Sequence, residues 1–136
     1  MRYLLDTNAW VDYLNQRYPG VAERVRSANP DELALSAVAL AELRYGADKS
    51  QHPARNHARI DVIAREVPLI DFDAAAAAAF GRLRSLLERQ DEPIGSYDML
   101  IASQAISRDL VLITDNVSEF RRIRNLKLEN WRRDAP

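Results

Sequence analysis

The sequence contains no cysteine, only four glycines and no long run of apolar residues. Without cysteine the chain has no disulfide, no thiolate zinc ligand and no cysteine nucleophile, and its composition suits a reducing cytoplasm. The four glycines form neither a dinucleotide-binding fingerprint nor a phosphate-binding loop. A transmembrane helix needs about 18 consecutive apolar residues, and no such stretch occurs. We therefore expect a cytoplasmic protein that does not enter the membrane.

Neither positive nor negative charge is in excess. The 136 residues include 19 Lys and Arg against 20 Asp and Glu, which gives a net charge of -1, and 47% of the residues are hydrophobic. A chain of this length and composition forms one globular domain with a sizeable core. The balance argues against indiscriminate binding of nucleic acid, so any such binding would use a local basic face.

Short apolar segments alternate with helical patterns along the chain. Strands are predicted at Leu4–Leu5, 33–35, 67–70 and 110–113, and amphipathic helices are predicted between them. Because the strands are continuously apolar rather than alternating, both faces of the sheet should be covered. This pattern predicts an α/β fold, an α/β/α sandwich with a central, mostly parallel sheet. An edge strand near Leu128 closes the domain at residue 131, and residues 132–136 form a short C-terminal tail.

Two acidic residues follow predicted strands. Asp6 comes directly after the first strand and Asp115 comes after the last apolar one. Ligands of open parallel sheets bind beyond the carboxyl ends of the strands, so the two carboxylates face one crevice if their strands are neighbours. The alternative is local: Asp6 caps the first helix, and Asp115 forms an ordinary turn with Asn116.

Two more acids lie on helices. Glu42 follows Val38 by four residues and so falls on the apolar stripe of its helix, where an ionised carboxylate is costly without a cation. Asp98 lies on the same face as Ile101, although its place in the first turn is also explained by the helix dipole.

Four carboxylates in one crevice would repel each other and raise their pKa values unless a divalent cation neutralised them. Hard oxygen ligands favour Mg²⁺, with Mn²⁺ as a substitute, and such sites usually serve phosphate chemistry. His52 and His57 lie about 140° apart around a helix, so we interpret them as surface residues rather than zinc ligands.

Four short motifs resemble those of a known family. They are Leu5-Asp6-Thr7-Asn8, the segment 36–46 with Ala41-Glu42-Leu43, the segment 94–98 with Tyr97-Asp98, and Thr114-Asp115-Asn116 followed by Glu119-Phe120. In order and spacing they resemble the PIN domain family and, within it, the VapC-type toxins. The resemblance implies a PIN domain over residues 1–131 with an α/β/α fold. It also implies a Mg²⁺-dependent endoribonuclease that inhibits translation, commonly by cutting tRNA in the anticodon loop.

The resemblance also assigns residues to roles. Asp6, Glu42 and Asp98 match the three acidic positions of the family, which implies that they are metal ligands and position the attacking water. Thr7 and Thr114 match hydroxyl positions that support the acids by hydrogen bonds.

The fourth acidic position is open. In many relatives it lies two residues after the threonine, where this chain has Asn116. Asp115 lies one residue earlier and Glu119 three residues later, and either can substitute. Resemblance to the branch with Asn at this point favours Asn116 plus Glu119 as the pair that completes the catalytic site, with Asp115 next as a metal ligand.

Partners also follow from the resemblance. It implies a VapB-like antitoxin that wraps the toxin and places a basic side chain in the acidic crevice, a homodimer, and a toxin–antitoxin hetero-oligomer. The basic cluster Arg121, Arg122, Arg124 and Lys127 is interpreted as an RNA backbone contact, the alternative being a solvated charged surface. Tyr97 is a candidate for stacking a base.

Two rival functions come from other classes. The first is a catalytically silent PIN-like module that binds RNA or protein, and the presence of Asp6, Glu42 and Asp98 counts against it. The second is a phosphatase with Asp6 as the nucleophile, which is weakened because Asn8 occupies the position of its expected second acid.

Overall fold

The computed structural model describes residues 1–133, which form a central sheet flanked by helices. Strands are β1 (Tyr3–Leu5), β2 (Leu33–Ser36), β3 (Leu69–Ile70), β4 (Val111–Ile113) and β5 (Lys127–Glu129). Helices are α1 (Thr7–Asn15), α2 (Pro19–Ser27), α3 (Ala37–Asp48), α4 (Pro53–Glu66), α5 (Ala74–Arg89), α6 (Ser96–Arg108) and the short α7 (Val117–Phe120). A 3-10 turn at Pro30–Glu32 precedes β2.

The sheet has five parallel strands in the order β3-β2-β1-β4-β5. In the central pairing, Leu5 of β1 lies opposite Ile113 of β4. The chain first adds strands on one side of β1 and then crosses to add β4 and β5 on the other side. The strand order therefore reverses between β1 and β4, where parallel sheets form a ligand crevice beyond their carboxyl ends. The predicted α/β fold with a mostly parallel sheet is confirmed, and the observed pairings are all parallel.

Burial of the central strands explains their apolar sequences. Leu4, Leu35 and Leu112 have no exposed surface. Each such side chain contributes roughly 1.5–3 kcal/mol when it is moved from water into a packed core. Burial beneath the flanking helices thus contributes to the stability of these short strands.

Polar caps fix the directions of the helices that leave the strands. The Asp6 carboxylate accepts a hydrogen bond from the Ala9 amide at 2.8 Å and so caps α1. The Ser36 hydroxyl accepts from the amides of Val38 and Ala39 and caps α3. The same hydroxyl donates to the buried side chain of Gln104, which ties the start of α3 to α6.

Differences from the sequence prediction are confined to short elements. Strand β3 begins at Leu69 rather than residue 67, because the Val67 amide still donates to the Ile63 carbonyl at the end of α4. Helix α7 was not predicted, since four residues are too few for a periodic pattern. The tail predicted at 132–136 falls partly outside the described residues, which end at 133, and Arg132 itself is held by ion pairs. Among residues 1–133 there is no helix long and apolar enough to cross a membrane.

Candidate active site

The acids that follow β1 and β4 meet at the reversal of strand order. The Asp6 amide donates to the Ile113 carbonyl at 3.0 Å, so the two strand ends are joined directly. Thr114, the next residue along from β4, is buried, and its side chain forms a hydrogen bond with the Asp6 carboxyl. Strands β1 and β4 are therefore neighbours, which is the condition for the Asp6 and Asp115 carboxylates to face one crevice.

The carboxyl group of Asp6 is almost completely shielded from water. Its residue is 4% exposed, and burial raises its pKa from 3.8 to about 7. Hydrogen bonds from Thr114 and from the Ala9 amide lower the pKa, while the negative charges of Asp98 and Asp115 raise it further. Desolvation outweighs the two hydrogen bonds, which means that the ionised form lacks a compensating positive charge.

Asp98, in the first turn of α6, lies close to Glu119. The pKa of Asp98 is raised from 3.8 to about 6. Partial burial is the main cause, and the negative charges of Glu119 and Glu42 add to it. A hydrogen bond between the Asp98 and Glu119 side chains also raises it. The neighbouring carboxyl groups therefore disfavour a negative charge on Asp98.

Glu119 is held in this position from two sides. One of its oxygens accepts from the Gly95 amide at 3.1 Å, and the other accepts from the side-chain amide of Asn116 at 3.2 Å. The Asn116 backbone amide in turn donates to the Thr114 hydroxyl oxygen at 3.0 Å. The structure therefore places Asn116 as a support for Glu119 and links both of them to Asp6 through Thr114.

Glu42 reaches the site from α3. Its carboxylate accepts a hydrogen bond from the Thr7 hydroxyl at the start of α1, and its charge raises the pKa of Asp98. The four acids Asp6, Glu42, Asp98 and Glu119 thus lie close enough for their charges to interact.

Asp115 is engaged elsewhere. Its carboxylate accepts from Arg132 Nη1 at 2.6 Å. The same guanidinium donates to both oxygens of Asp12, from Nε at 2.6 Å and Nη2 at 3.1 Å, and stacks over the Tyr18 ring at 4.4 Å. Asp12 and Arg132 were missed from the sequence. The one indication in the sequence was the acidic Asp12 within an amphipathic helix. Its partner, Arg132, lies 120 residues further along the chain.

The basic cluster is exposed, but part of it is paired within the chain. Arg122 donates to the Pro93 carbonyl at 2.7 Å, and Lys127 forms an ion pair with Asp109 at 2.9 Å. Arg121 and Arg124 are also exposed.

The donor set is suited in charge and chemistry to a divalent cation. Its members are oxygen donors, and the raised pKa values of Asp6 and Asp98 show that negative charge accumulates without a nearby neutralising group. Within residues 1–133, no three acidic or histidine side chains surround a common point as ready metal ligands. In their present positions Glu42 and Glu119 are instead hydrogen bonded to neighbouring groups.

The buried charge of Asp6 leads to a stability prediction. Because the folded-state pKa of about 7 lies above the unfolded value of 3.8, the folded state binds the proton more tightly, and stability should fall as pH rises from about 4 to 7. Asp6→Asn removes this penalty while keeping a capping oxygen. We expect the variant without metal to match the natural chain near pH 4 and to exceed its free energy of unfolding by on the order of 4 kcal/mol at pH 8.

Urea unfolding in EDTA at the two pH values measures this difference. An Asp6→Asn variant that is equally stabilised at both pH values would show that the buried charge is not the cause.

Comparison with known proteins gives a consistent result. The PIN domain family model matches residues 3–126. The chain is 40% identical over 131 residues to the tRNA(fMet)-specific endonuclease VapC of Shigella flexneri, covering 96% of this chain and 98% of that protein. It is 39% identical over 132 residues to Ribonuclease VapC2 of Rickettsia felis, with the same coverage.

Solved structures agree with the sequence relatives. A chain of VapBC2 from Rickettsia felis, bound to a DNA fragment from its promoter, superposes with a TM-score of 0.89 at 38% identity, covering 96% of this chain and 99% of that chain. DNA-bound VapBC from Salmonella typhimurium gives a TM-score of 0.91 at 35% identity, covering 96% and 98%.

Proposed function

The chain belongs to the PIN domain family, and we propose that it is a Mg²⁺-dependent endoribonuclease, the toxin component of a type II toxin–antitoxin system that cleaves tRNA and so inhibits translation. PIN-domain nucleases generally depend on divalent metal ions. The observation that carries the proposal is the linkage of Asp6, Glu42, Asp98 and Glu119 beyond the carboxyl ends of β1 and β4. These acids are intact, which counts against a catalytically silent binding module.

We assign Asp6, Glu42 and Asp98 as the residues that would hold the metal. When bound, Mg²⁺ neutralises the acids and stabilises charge that develops on the phosphodiester during attack by water. The Thr114 hydroxyl holds the Asp6 carboxylate, and the Thr7 hydroxyl holds Glu42, so both acids are oriented before RNA arrives. Mn²⁺ offers the same coordination chemistry as a substitute.

Glu119 is our choice for the fourth acid. Its carboxyl group lies beside Asp98 and is held by the Gly95 amide and by Asn116. In this proposal Glu119, held beside Asp98, accepts a proton from the attacking water. Asp115 is a poorer choice for a metal ligand, because Arg132 already neutralises it.

The substrate proposal rests on the relatives. The Shigella flexneri protein is named a tRNA(fMet)-specific endonuclease, and the similarity extends over nearly the full length of both chains. We propose that this chain also cleaves tRNA, within the anticodon loop, since unpaired loops expose their bases and backbone for recognition. A tRNA substrate places the reaction in the cytoplasm.

The protein partner proposal rests on the solved structures, whose chains come from VapBC complexes. We propose a VapB-like antitoxin, with a homodimer of this chain in the toxin–antitoxin hetero-oligomer. A cleft of about 210 Å³ between α1, α3 and α4 has apolar walls that include Leu14 and Ile60, and it extends to Glu42. An antitoxin segment seated there would lie next to the acids.

The test is cleavage of a total small-RNA pool by the purified chain, freed of any copurifying protein, with Mg²⁺, with Mn²⁺ and with EDTA. Cut ends are mapped by sequencing. We expect discrete cuts in tRNA anticodon loops that require the metal and disappear in EDTA. If the folded chain leaves every RNA intact under all metal conditions, the nuclease proposal is wrong and the binding module replaces it. Capture of a phosphorylated Asp6 would instead support the phosphatase.

A further inference from the structure

Two exposed tyrosines lie beside the acidic site. Tyr45 on α3 is 65% exposed, and Tyr97 on α6 is 60% exposed. Both line one open cleft of about 580 Å³, whose walls also include Thr7 and Glu42. We call this the tyrosine cleft. By contrast, Tyr3 packs edge-on against the buried Trp131.

The positions of both tyrosines are tied to catalytic acids. Tyr45 lies three residues after Glu42 on α3, so the two side chains project from the same side of that helix. Tyr97 directly precedes Asp98 in the first turn of α6. The helices therefore anchor the backbone of both tyrosines next to the acids.

A positive charge completes the cleft. Lys49 lies one turn beyond Tyr45, and its Nζ is 4.8 Å from the centre of the Tyr45 ring. Within the lining of the cleft, Lys49 is the single cationic residue. The cleft thus combines two aromatic faces with a cation at the border of a strongly acidic site.

An RNA-cleaving site of this charge needs attraction from its surroundings. Any acidic charge that the metal does not neutralise repels the phosphates on either side of the cleaved one, so neighbouring groups must contribute to RNA affinity. Aromatic faces stack on unpaired bases irrespective of sequence, and a nearby cation attracts phosphate. These are the interactions that the tyrosine cleft offers.

We propose that Tyr45 and Tyr97 hold one unpaired nucleobase of the RNA, next to the cleaved phosphodiester, with Lys49 contacting the adjoining phosphate. This inference rests on the proposed function and identifies a substrate-binding subsite of the same site. An unpaired base is the required occupant, because a paired base presents only its edge and leaves no face for the rings.

The test compares stacking-competent and stacking-incompetent variants. Tyr45→Leu and Tyr97→Leu keep an apolar side chain without a ring, whereas Tyr45→Phe and Tyr97→Phe keep the ring. Leu86→Ala, at an exposed apolar position on α5, is the matched control. We expect each leucine variant to raise KM for the cleaved RNA about 5-fold or more. We expect the phenylalanine variants and the control to stay within about twofold.

A binding measurement makes the result independent of cleavage. In an Asp98→Asn background, which blocks cleavage, the RNA carries 2-aminopurine beside the cut site, and its fluorescence is quenched when the base stacks. Quenching should persist with phenylalanine and be lost with leucine. Quenching and KM that do not change in the leucine variants would overturn the tyrosine cleft, while metal-dependent cleavage by the natural chain would leave the nuclease proposal intact.

A different occupant would also be visible. If Tyr45→Leu and Tyr97→Leu convert a dimer into a monomer in analytical ultracentrifugation and leave the affinity for RNA unchanged, the cleft is an interface between two copies of the chain and the proposal is wrong. If the natural chain quenches 2-aminopurine placed in a tRNA anticodon loop, the leucine variants lose that quenching and no RNA is ever cut, the nuclease function fails while the tyrosine cleft stands.

Discussion

Asparagine in place of Asp98 is expected to lower the rate of RNA cleavage by more than about 100-fold. Loss of an outer hydrogen-bonding partner in a metal site typically costs 10–100-fold, and Asp98 is assigned as a direct ligand. The substitution removes one negative charge and one carboxylate oxygen beside Glu119 and Glu42. Because Asp98 is partly buried among like charges, folding should be unimpaired.

The measurement is the single-turnover rate on the RNA identified from the pool, at saturating Mg²⁺. Asp71→Asn is the matched control, since Asp71 is an exposed acid outside the site, and its rate should equal that of the natural chain. Unfolding curves for both variants establish that they are folded. An Asp98→Asn rate within tenfold of the natural rate would remove Asp98 from the metal-binding set.

Much of the fold was predictable because burial leaves a clear pattern in sequence. The run 110–113 is apolar throughout, as expected for a strand covered on both faces, and it forms the centre of the sheet beside β1. Helix lengths followed from the spacing of apolar residues. The short α7 and the exact start of β3 depend on a few local hydrogen bonds, and those bonds have no periodic signature.

The residues of the candidate site could likewise be predicted from the sequence only in part. Asp6, Glu42 and Asp98 were singled out because each combines an acidic side chain with a place at a strand end or on a buried helical face. The structure brings their charges together. Their roles as ligands stay a prediction, as do those of Asn116 and Glu119.

The sequence alone could not decide whether Asp115 or Glu119 is the fourth acid of the site. Both are acids within a few residues of Thr114, and their separation depends on side-chain partners from distant parts of the chain. Arg132 draws Asp115 towards α1, whereas the Gly95 amide holds Glu119 beside Asp98. Periodicity and local spacing carry no information about such contacts.

Arg132→Ala is expected to destabilise the fold by about 3 kcal/mol. Removing one partner of a buried ion pair typically costs 3–5 kcal/mol, because the other charge is left uncompensated. Asp12 is only 2% exposed and accepts two hydrogen bonds from the guanidinium. The lower end of the range applies, since the Arg132 side chain is 27% exposed and water reaches it from one side.

Urea unfolding at pH 7 measures this effect, with Arg133→Ala as the control because Arg133 is the exposed neighbour. The double variant Asp12→Asn/Arg132→Ala identifies the cause. If the cost comes from the unpaired Asp12 charge, the double variant should recover part of the stability lost in Arg132→Ala. Equal stability of Arg132→Ala and Arg133→Ala would show that the contacts of Arg132 contribute nothing to the fold.

The same variant bears on the active site. Arg132 neutralises Asp115, whose charge already raises the pKa of Asp6. Without the guanidinium, an unpaired Asp115 should repel Asp6 more strongly and raise its pKa further. In the absence of metal, the stability of Arg132→Ala should therefore decline more steeply between pH 4 and 8 than that of the natural chain. A parallel decline in the two proteins would mean that Arg132 stabilises α1 through Asp12 alone and has no influence on the acids.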